Sequence, residues 1–559
     1  MSKRVPFPPL AGCLALFVFA AGAWAQTPPA PAAPPVAARD PAVRPALPPD
    51  LADFGAYVDG ARKTFDVPGI AVAIVKDGQV VLEQGYGLRE QGKRAPVDAH
   101  TLFAIASNTK AFTAASLEML GEQGRLDMDD RVVDRLPWFQ MSDPYVTREM
   151  RIRDLLAHRS GLSLGAGDLL YWPPTSYSTK DVVERLRKVP IKNGFRSGYA
   201  YDNILYAVAT LVIEQVSGQR YADFVREHIF KPVGMDESII HTTRLAPGLD
   251  AATGHAKADF KQLEPVPEAT WDNNLGAGSI YASVHDLAKW MNVQLAGGAL
   301  PGEGADGKPR RLFSEASQRS MWSMLTPIKI AAPPVPELAP VMPQFYGYGE
   351  GWFLSDYRGK RLVWHTGGWP GMVSRLTLVP ELKLGVVVLT NAESGAAFNA
   401  VTYRVLDAYL HPGQKTDWVA AYDKAVKKAQ GNAGDSWQKH LAARDARSRP
   451  SLAQARYAGT YRDPWYGDVV VREEGGKLRL TFSKTPQLAG TLAPWQHDTF
   501  TVRWDDRSLN ADAFVSFDLD ADGHIREVRM VPISPLTDFS FDFQDLRLVP
   551  VKAGKASAP

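Results

Sequence analysis

Apolar residues recur along this chain in two rhythms, and the switch between them outlines its architecture. Leu51 to Phe65 places apolar positions at helical spacing and predicts a helix. Gly69 to Val75, GIAVAIV, is an unbroken apolar run, as expected of a strand covered on both faces. Asp77-Gly78 predicts a tight hairpin turn into a second strand, Val80 to Tyr86. From about 103 to 300 the pattern is mainly helical. Gly385 to Thr390, GVVVLT, reads as another buried strand, and Ala396 to Leu410 as a helix. Strands at both ends of a helical stretch predict an α/β (α+β) sandwich with a mainly helical insertion, one sheet being built from both ends of residues 51–413.

The rhythm changes beyond 413. Residues 414–454 are charged and helical in character and read as a connector. Residues 455–552 show short alternating stretches: Val469 to Val471, Leu478 to Thr481, Phe500 to Trp504, Phe514 to Leu519 and Glu527 to Val531. These predict a small antiparallel β domain, a barrel or a curved sheet. At the other end, Lys3 and Arg4 precede an apolar stretch, Leu10 to Ala21, and a small-x-small pattern, Ala23-Trp24-Ala25. Residues 1–25 therefore read as a secretory signal peptide, and about a dozen apolar residues are too few to span a bilayer. Leu10-Ala11-Gly12-Cys13 looks like a lipoprotein box, but the apolar stretch lies mainly after it. Residues 26–50, rich in Pro and Ala, read as a semi-rigid linker. The expected location is the periplasm or the cell exterior.

Composition narrows the chemistry. The 63 basic and 61 acidic residues of the 559-residue chain nearly balance, which excludes a broadly basic nucleic-acid coat. The single cysteine excludes a disulfide framework and cysteine-based metal sites. Cleavage after Ala25 removes Lys3, Arg4 and Cys13 and leaves a formally neutral chain without thiols. No cofactor and no metal is expected. Asp518, Asp520, Asp522 and Gly523 imitate half a calcium loop, but Arg529 stands where a glutamate is required, and a hairpin turn at Asp522-Gly523 is the better reading.

Three short patterns carry candidate chemistry. Ser107-Asn108-Thr109-Lys110 opens a helical run, and a three-residue step places serine and lysine on one face, about a turn apart. A desolvated lysine can be neutral enough to take the serine proton. The pattern is short enough to recur by chance, and Ser436-Trp437-Gln438-Lys439 in the connector is read as such a recurrence, on a solvated helix face. Tyr201-Asp202-Asn203 precedes a second apolar helix; a tyrosine of lowered pKa can relay a proton, and the asparagine amide can orient a substrate amide. His365-Thr366-Gly367-Gly368 follows a strand-like stretch. Its glycines admit a substrate backbone, and the N–H groups of Gly368 and Ser107 suit an oxyanion hole.

In this order, with 94 residues between Ser107 and Tyr201 and 164 between Tyr201 and His365, the motifs resemble those of the serine β-lactamase and penicillin-binding protein superfamily. The branch resembled holds class C-like β-lactamases, D-aminopeptidases, D-alanyl-D-alanine carboxypeptidases and related esterases. Arg153 to Leu162 and Gly276 to Ser279 match in flavour, and residues 455–552 resemble the lipocalin-like domains of some members. The resemblance implies Ser107 as nucleophile and Lys110 and Tyr201 sharing the base role. It further implies Asn203 orienting the acyl amide, Gly367 and Gly368 at the oxyanion, and His365 and Thr366 near a substrate carboxylate. Many β-lactamases carry lysine where this chain has His365, which tilts the expectation towards D-amino-acid peptides over penicillin hydrolysis; the alternatives are an esterase or class C-like β-lactamase with the same machinery, and then a penicillin-binding or sensor module that is acylated without turnover. The histidine also implies a kcat/KM for an anionic peptide that falls as His365 deprotonates between about pH 5 and 8. Arg375 is a further candidate for the carboxylate.

Overall fold

The computed structural model describes residues 46–551 apart from 243, 305 and 306; the signal peptide and most of the proline-rich linker lie outside the described residues. Among the described residues no helix is long and apolar enough to cross a membrane.

Helix α1 (Phe54–Thr64) leads into strands β1 (Gly69–Lys76) and β2 (Gln79–Gly87). Asp77 and Gly78 both take positive φ, 51° and 79°, the geometry that an Asp-Gly hairpin turn favours. Six further strands complete the sheet: β3 (Thr326–Pro327), β4 (Tyr346–Tyr348), β5 (Phe353–Tyr357), β6 (Lys360–Trp369), β7 (Met372–Val379) and β8 (Leu384–Thr390). Their order is β3-β4-β5-β6-β7-β8-β1-β2, antiparallel throughout. Ile70 faces Tyr86 on one side and Thr390 on the other, so the two ends of the segment meet in one sheet.

The unbroken apolar run of β1 is explained by two cores. Ala71, Ala73 and Val75 belong to one, and Ile70, Val72 and Ile74 to the other, as a period of two demands. The first face is covered by a helical layer that includes α2 (Lys110–Glu122), α3 (Leu205–Ser217) and α4 (Val284–Leu295). The second is covered by α1 and α5 (Gly395–Leu410). This is the expected sandwich.

Residues 418–443 form one 26-residue helix, α6 (Trp418–Ala443), anchored by the buried Trp418 against α5. The C-terminal region is a nearly closed antiparallel barrel. Its strands are β9 (Gly459–Asp463), β10 (Gly467–Glu474), β11 (Lys477–Phe482), β12 (Thr485–Gln496), β13 (Thr499–Trp504), β14 (Ala513–Leu519), β15 (Ile525–Pro532) and β16 (Val549–Pro550), in the order β15-β14-β13-β12-β11-β10-β9-β16. Val528 in β15 and Leu548 beside β16 exchange backbone hydrogen bonds of 2.7 and 3.3 Å, which brings the first and last strands of this order together. The turn at Asp522-Gly523 joins β14 to β15.

Candidate active site

The chain reaches Ser107 through a two-residue strand, Phe103–Ala104, paired with Ile280–Ala282. Ala106 then takes a left-handed φ of 45°, a strain on the order of 1–3 kcal/mol for a residue with a side chain. A single 3-10 turn, Ala106–Thr109, runs straight into α2. Ser107 thus stands at the entrance of a buried helix, and only 8% of it is exposed.

Lys110 is fully buried one turn later. Its Nζ lies 2.9 Å from Ser107 Oγ, 2.8 Å from Asn203 Oδ1 and 3.0 Å from the Ala277 carbonyl. Two of these partners are pure acceptors and the third is a hydroxyl that can donate. A neutral amine, with two N–H groups and one lone pair, satisfies all three at once. Burial lowers the Lys110 pKa to about 7, against the opposing pull of the Asp168 and Asp202 carboxylates.

Tyr201 packs against this pair, with Nζ 5.0 Å from its ring centroid. Burial holds its hydroxyl well above the usual range, and the interaction with Ser107 offsets only part of the shift. The lowered tyrosine pKa expected from sequence is therefore reversed, because burial dominates and the Asp168, Asp202 and Asp538 carboxylates push the same way. Asn203 presents Oδ1 to Lys110 and donates from Nδ2 to Asp168 Oδ2 at 3.0 Å, so both ends of its amide are engaged within the protein. His158, from the 153–162 stretch, stacks 4.1 Å from the Tyr201 ring and accepts the Asp202 N–H at Nδ1.

His365, Thr366, Gly367 and Gly368 lie on β6. A Cβ on Gly367 would sit 2.0 Å from the Ile105 carbonyl, so glycine here lets the strand lie directly against the nucleophile turn. A Cβ on Gly368 would meet nothing, since that position opens on the cleft. His365 accepts at Nε2 from the Tyr348 hydroxyl, 2.7 Å away, and donates from Nδ1 to the Thr366 carbonyl at 2.6 Å. That arrangement fits a neutral imidazole, and burial with the nearby Lys110 holds its pKa well below the usual range. The imidazolium expected near a substrate carboxylate, and the pH dependence attached to it, are thereby corrected. Arg375 is corrected as well. It projects from the opposite face of the sheet, bonded to Thr377 and Asn399 and lying over the Trp364 and Tyr403 rings.

Sequence reading missed several contributors. Tyr348, Asp168 and the Ala277 carbonyl reach the motif residues only through the tertiary fold. The larger omission is the C-terminal region: Phe539, Asp538 and Gln487 line the same cleft as Ser107, and so do Asp423 and Lys427 of α6. The cleft holds about 950 Å³. Trp172, Trp271, Trp369 and Phe539 give it an aromatic wall, with Trp271 and Trp369 rings 4.6 Å apart. Its lysines, Lys257 and Lys427, are paired with Asp66 at 2.7 Å and Asp423 at 2.6 Å. Glu393 and Asp538 open into it without a cationic partner among the described residues; crowding by the protein, with Asp538 nearby, holds the Glu393 carboxyl at about 7.

This fold and site define a class, the serine hydrolases built like β-lactamases and penicillin-binding proteins. Residues 54–410 match the Beta-lactamase family model, and the chain belongs to that family. Residues 443–550 match a domain of unknown function, DUF3471. The unguisins hydrolase ungD of Aspergillus violaceofuscus is 29% identical over 488 residues, covering 80% of this chain and 82% of that protein. The octameric penicillin-binding protein homologue from Pyrococcus abyssi shares the fold at a TM-score of 0.56 and 21% identity, over 89% of this chain and all of the other. D-amino acid amidase from Ochrobactrum anthropi SV3 does so at 0.51 and 24% identity, over 63% of this chain and 98% of the other.

Proposed function

We propose that this serine hydrolase cleaves amide bonds in peptides containing D-amino acids, through an acyl-enzyme on Ser107, and that it recognises a free amino group rather than a free carboxylate. The observation that carries the catalytic part is the Lys110 environment, a fully buried amine 2.9 Å from the Ser107 hydroxyl with its pKa lowered to about 7. In the proposed reaction Ser107 Oγ attacks the acyl carbonyl while its proton passes to Lys110 Nζ. The N–H groups of Ser107 and Gly368 hold the oxyanion. Collapse expels the amine, protonated from Lys110 through the Tyr201 hydroxyl, and water then releases the acyl group. The raised pKa of Tyr201 makes it a proton relay and Lys110 the base.

The choice of substrate rests on charge and shape. With Arg375 turned away, His365 neutral and both cleft lysines paired, no free cation among the described lining residues awaits a carboxylate. Glu393 and Asp538 instead suit an ammonium, and the aromatic wall suits a bulky apolar side chain. This favours an aminopeptidase or amidase over a D,D-carboxypeptidase. The name of the D-amino acid amidase agrees with amide chemistry, and that of the unguisins hydrolase with hydrolysis. The same machinery would serve an esterase or a β-lactamase.

A panel of D- and L-amino amides, D-Ala-D-Ala peptides, nitrocefin and p-nitrophenyl esters, run with wild type and Ser107→Ala, tests the reading. D-amino amides should be the best substrates, with activity lost in Ser107→Ala. Preference for peptides with a free carboxylate, or for nitrocefin, would overturn it. Residues 1–25 support export, and the mass of the mature N-terminus checks cleavage after Ala25.

A further inference from the structure

A run of buried polar contacts leads from the C-terminal barrel to the catalytic lysine. Ser540 Oγ donates to Asp168 Oδ2 at 2.8 Å. The same carboxylate oxygen accepts from Asn203 Nδ2 at 3.0 Å, and Asn203 Oδ1 accepts from Lys110 Nζ at 2.8 Å. Each of these four side chains is less than a tenth exposed. The two ends of an amide differ, and this fixes the direction of the run. A flipped Asn203 would set its oxygen against the Asp168 carboxylate, so Asp168 keeps that oxygen on the lysine.

The barrel also holds Asp168 itself. Asp542 accepts from the backbone N–H groups of Gly167 at 2.7 Å and Leu169 at 3.2 Å, the residues on either side of Asp168. A Cβ on Gly165 would lie 2.6 Å from the Phe539 carbonyl, so the barrel segment packs directly on the 165–170 turn. The Phe539 ring meets the Tyr201 ring edge-on at 5.9 Å.

We propose that the barrel completes the catalytic site: Ser540 is a positioning residue that acts through Asp168 and Asn203 to keep Lys110 on Ser107. This rests on the reading of Lys110 as the base. It gives the domain of unknown function a part in the chemistry as well as in the wall of the cleft.

Full-length Ser540→Ala, Ser540→Thr and Asp168→Asn are compared with wild type, Ser107→Ala and Lys110→Ala. The readouts are kcat and KM for p-nitrophenyl acetate, whose acyl group is small, and the rate of fluorophosphonate labelling. A base displaced by a fraction of an ångström should cost Ser540→Ala about ten- to a hundredfold in kcat and in labelling rate. KM should stay within about twofold, because the aromatic wall of the cleft is untouched. Ser540→Thr, which keeps the hydroxyl, should recover most of the loss. Asp168→Asn should lose at least as much as Ser540→Ala, and it keeps the test open should Ser540→Ala fail to fold. Wild-type kcat in either Ser540→Ala or Asp168→Asn overturns the proposal, as does a change confined to KM. If Lys110→Ala keeps wild-type activity, the reading of the base has failed instead; with Lys110→Ala inactive and Ser540→Ala fully active, only the positioning role has failed.

Discussion

In the proposed reaction a buried lysine, its pKa lowered to about 7, sets the working range of the enzyme. Lys110 acts as a base only when unprotonated. kcat/KM for an uncharged ester should therefore rise with pH through about 7 and level off above it; a flat profile from about pH 5 to 9 would count against Lys110 as the base. Lys110→Ala should lose on the order of 10²–10⁴ in kcat, and Tyr201→Phe should lose less while leaving the position of the limb unchanged. At this scale the motifs were legible because a three-residue step on a helix, or neighbours on one strand, fix geometry locally. Their partners were not: Asp168, Tyr348 and Ser540 stand 61, 241 and 433 positions from Ser107, and no local pattern links them to it. The charge states of Tyr201 and His365 were misread for the same reason, since burial outweighs any neighbour visible in the sequence.

At the scale of elements, the site depends on how closely β6 lies against the turn before α2. Gly367 is the contact point, with its absent Cβ 2.0 Å from the Ile105 carbonyl. Gly367→Ala must push the strand from the nucleophile, and activity should fall at least about a hundredfold while the far-UV circular dichroism is retained. Gly368→Ala, whose Cβ meets nothing, should fold as wild type with a milder effect; equal losses in the two would show that backbone approach at Gly367 is not the constraint. The strands β1 and β8 were readable as continuous apolar runs because both faces are covered. In the barrel, β9 and the long β12 escaped sequence reading. β12 is broken by Pro486 and Pro494 and by small residues, and its pairing with β11 and β13 is what makes it a strand.

Over the whole molecule, three parts of the chain share one cleft: the family domain, α6 and the barrel. Its carboxylates and paired lysines leave it acidic, so the account expects amidated peptides to be cleaved at least as well as those with a free carboxylate. Glu393→Gln and Asp538→Asn should raise KM for amino amides several-fold and leave p-nitrophenyl acetate unaffected; equal effects on both substrates would remove these residues from recognition. Sequence reading separated a connector and a β domain from the hydrolase, and the side chains that join them lie hundreds of residues apart. The central claim is a covalent acyl-enzyme on Ser107, and intact-mass spectrometry with peptide mapping after fluorophosphonate treatment tests it most directly. The account predicts one adduct per chain, mapped to Ser107 and absent from Ser107→Ala. An adduct on another residue, or undiminished amide hydrolysis by Ser107→Ala, would contradict it.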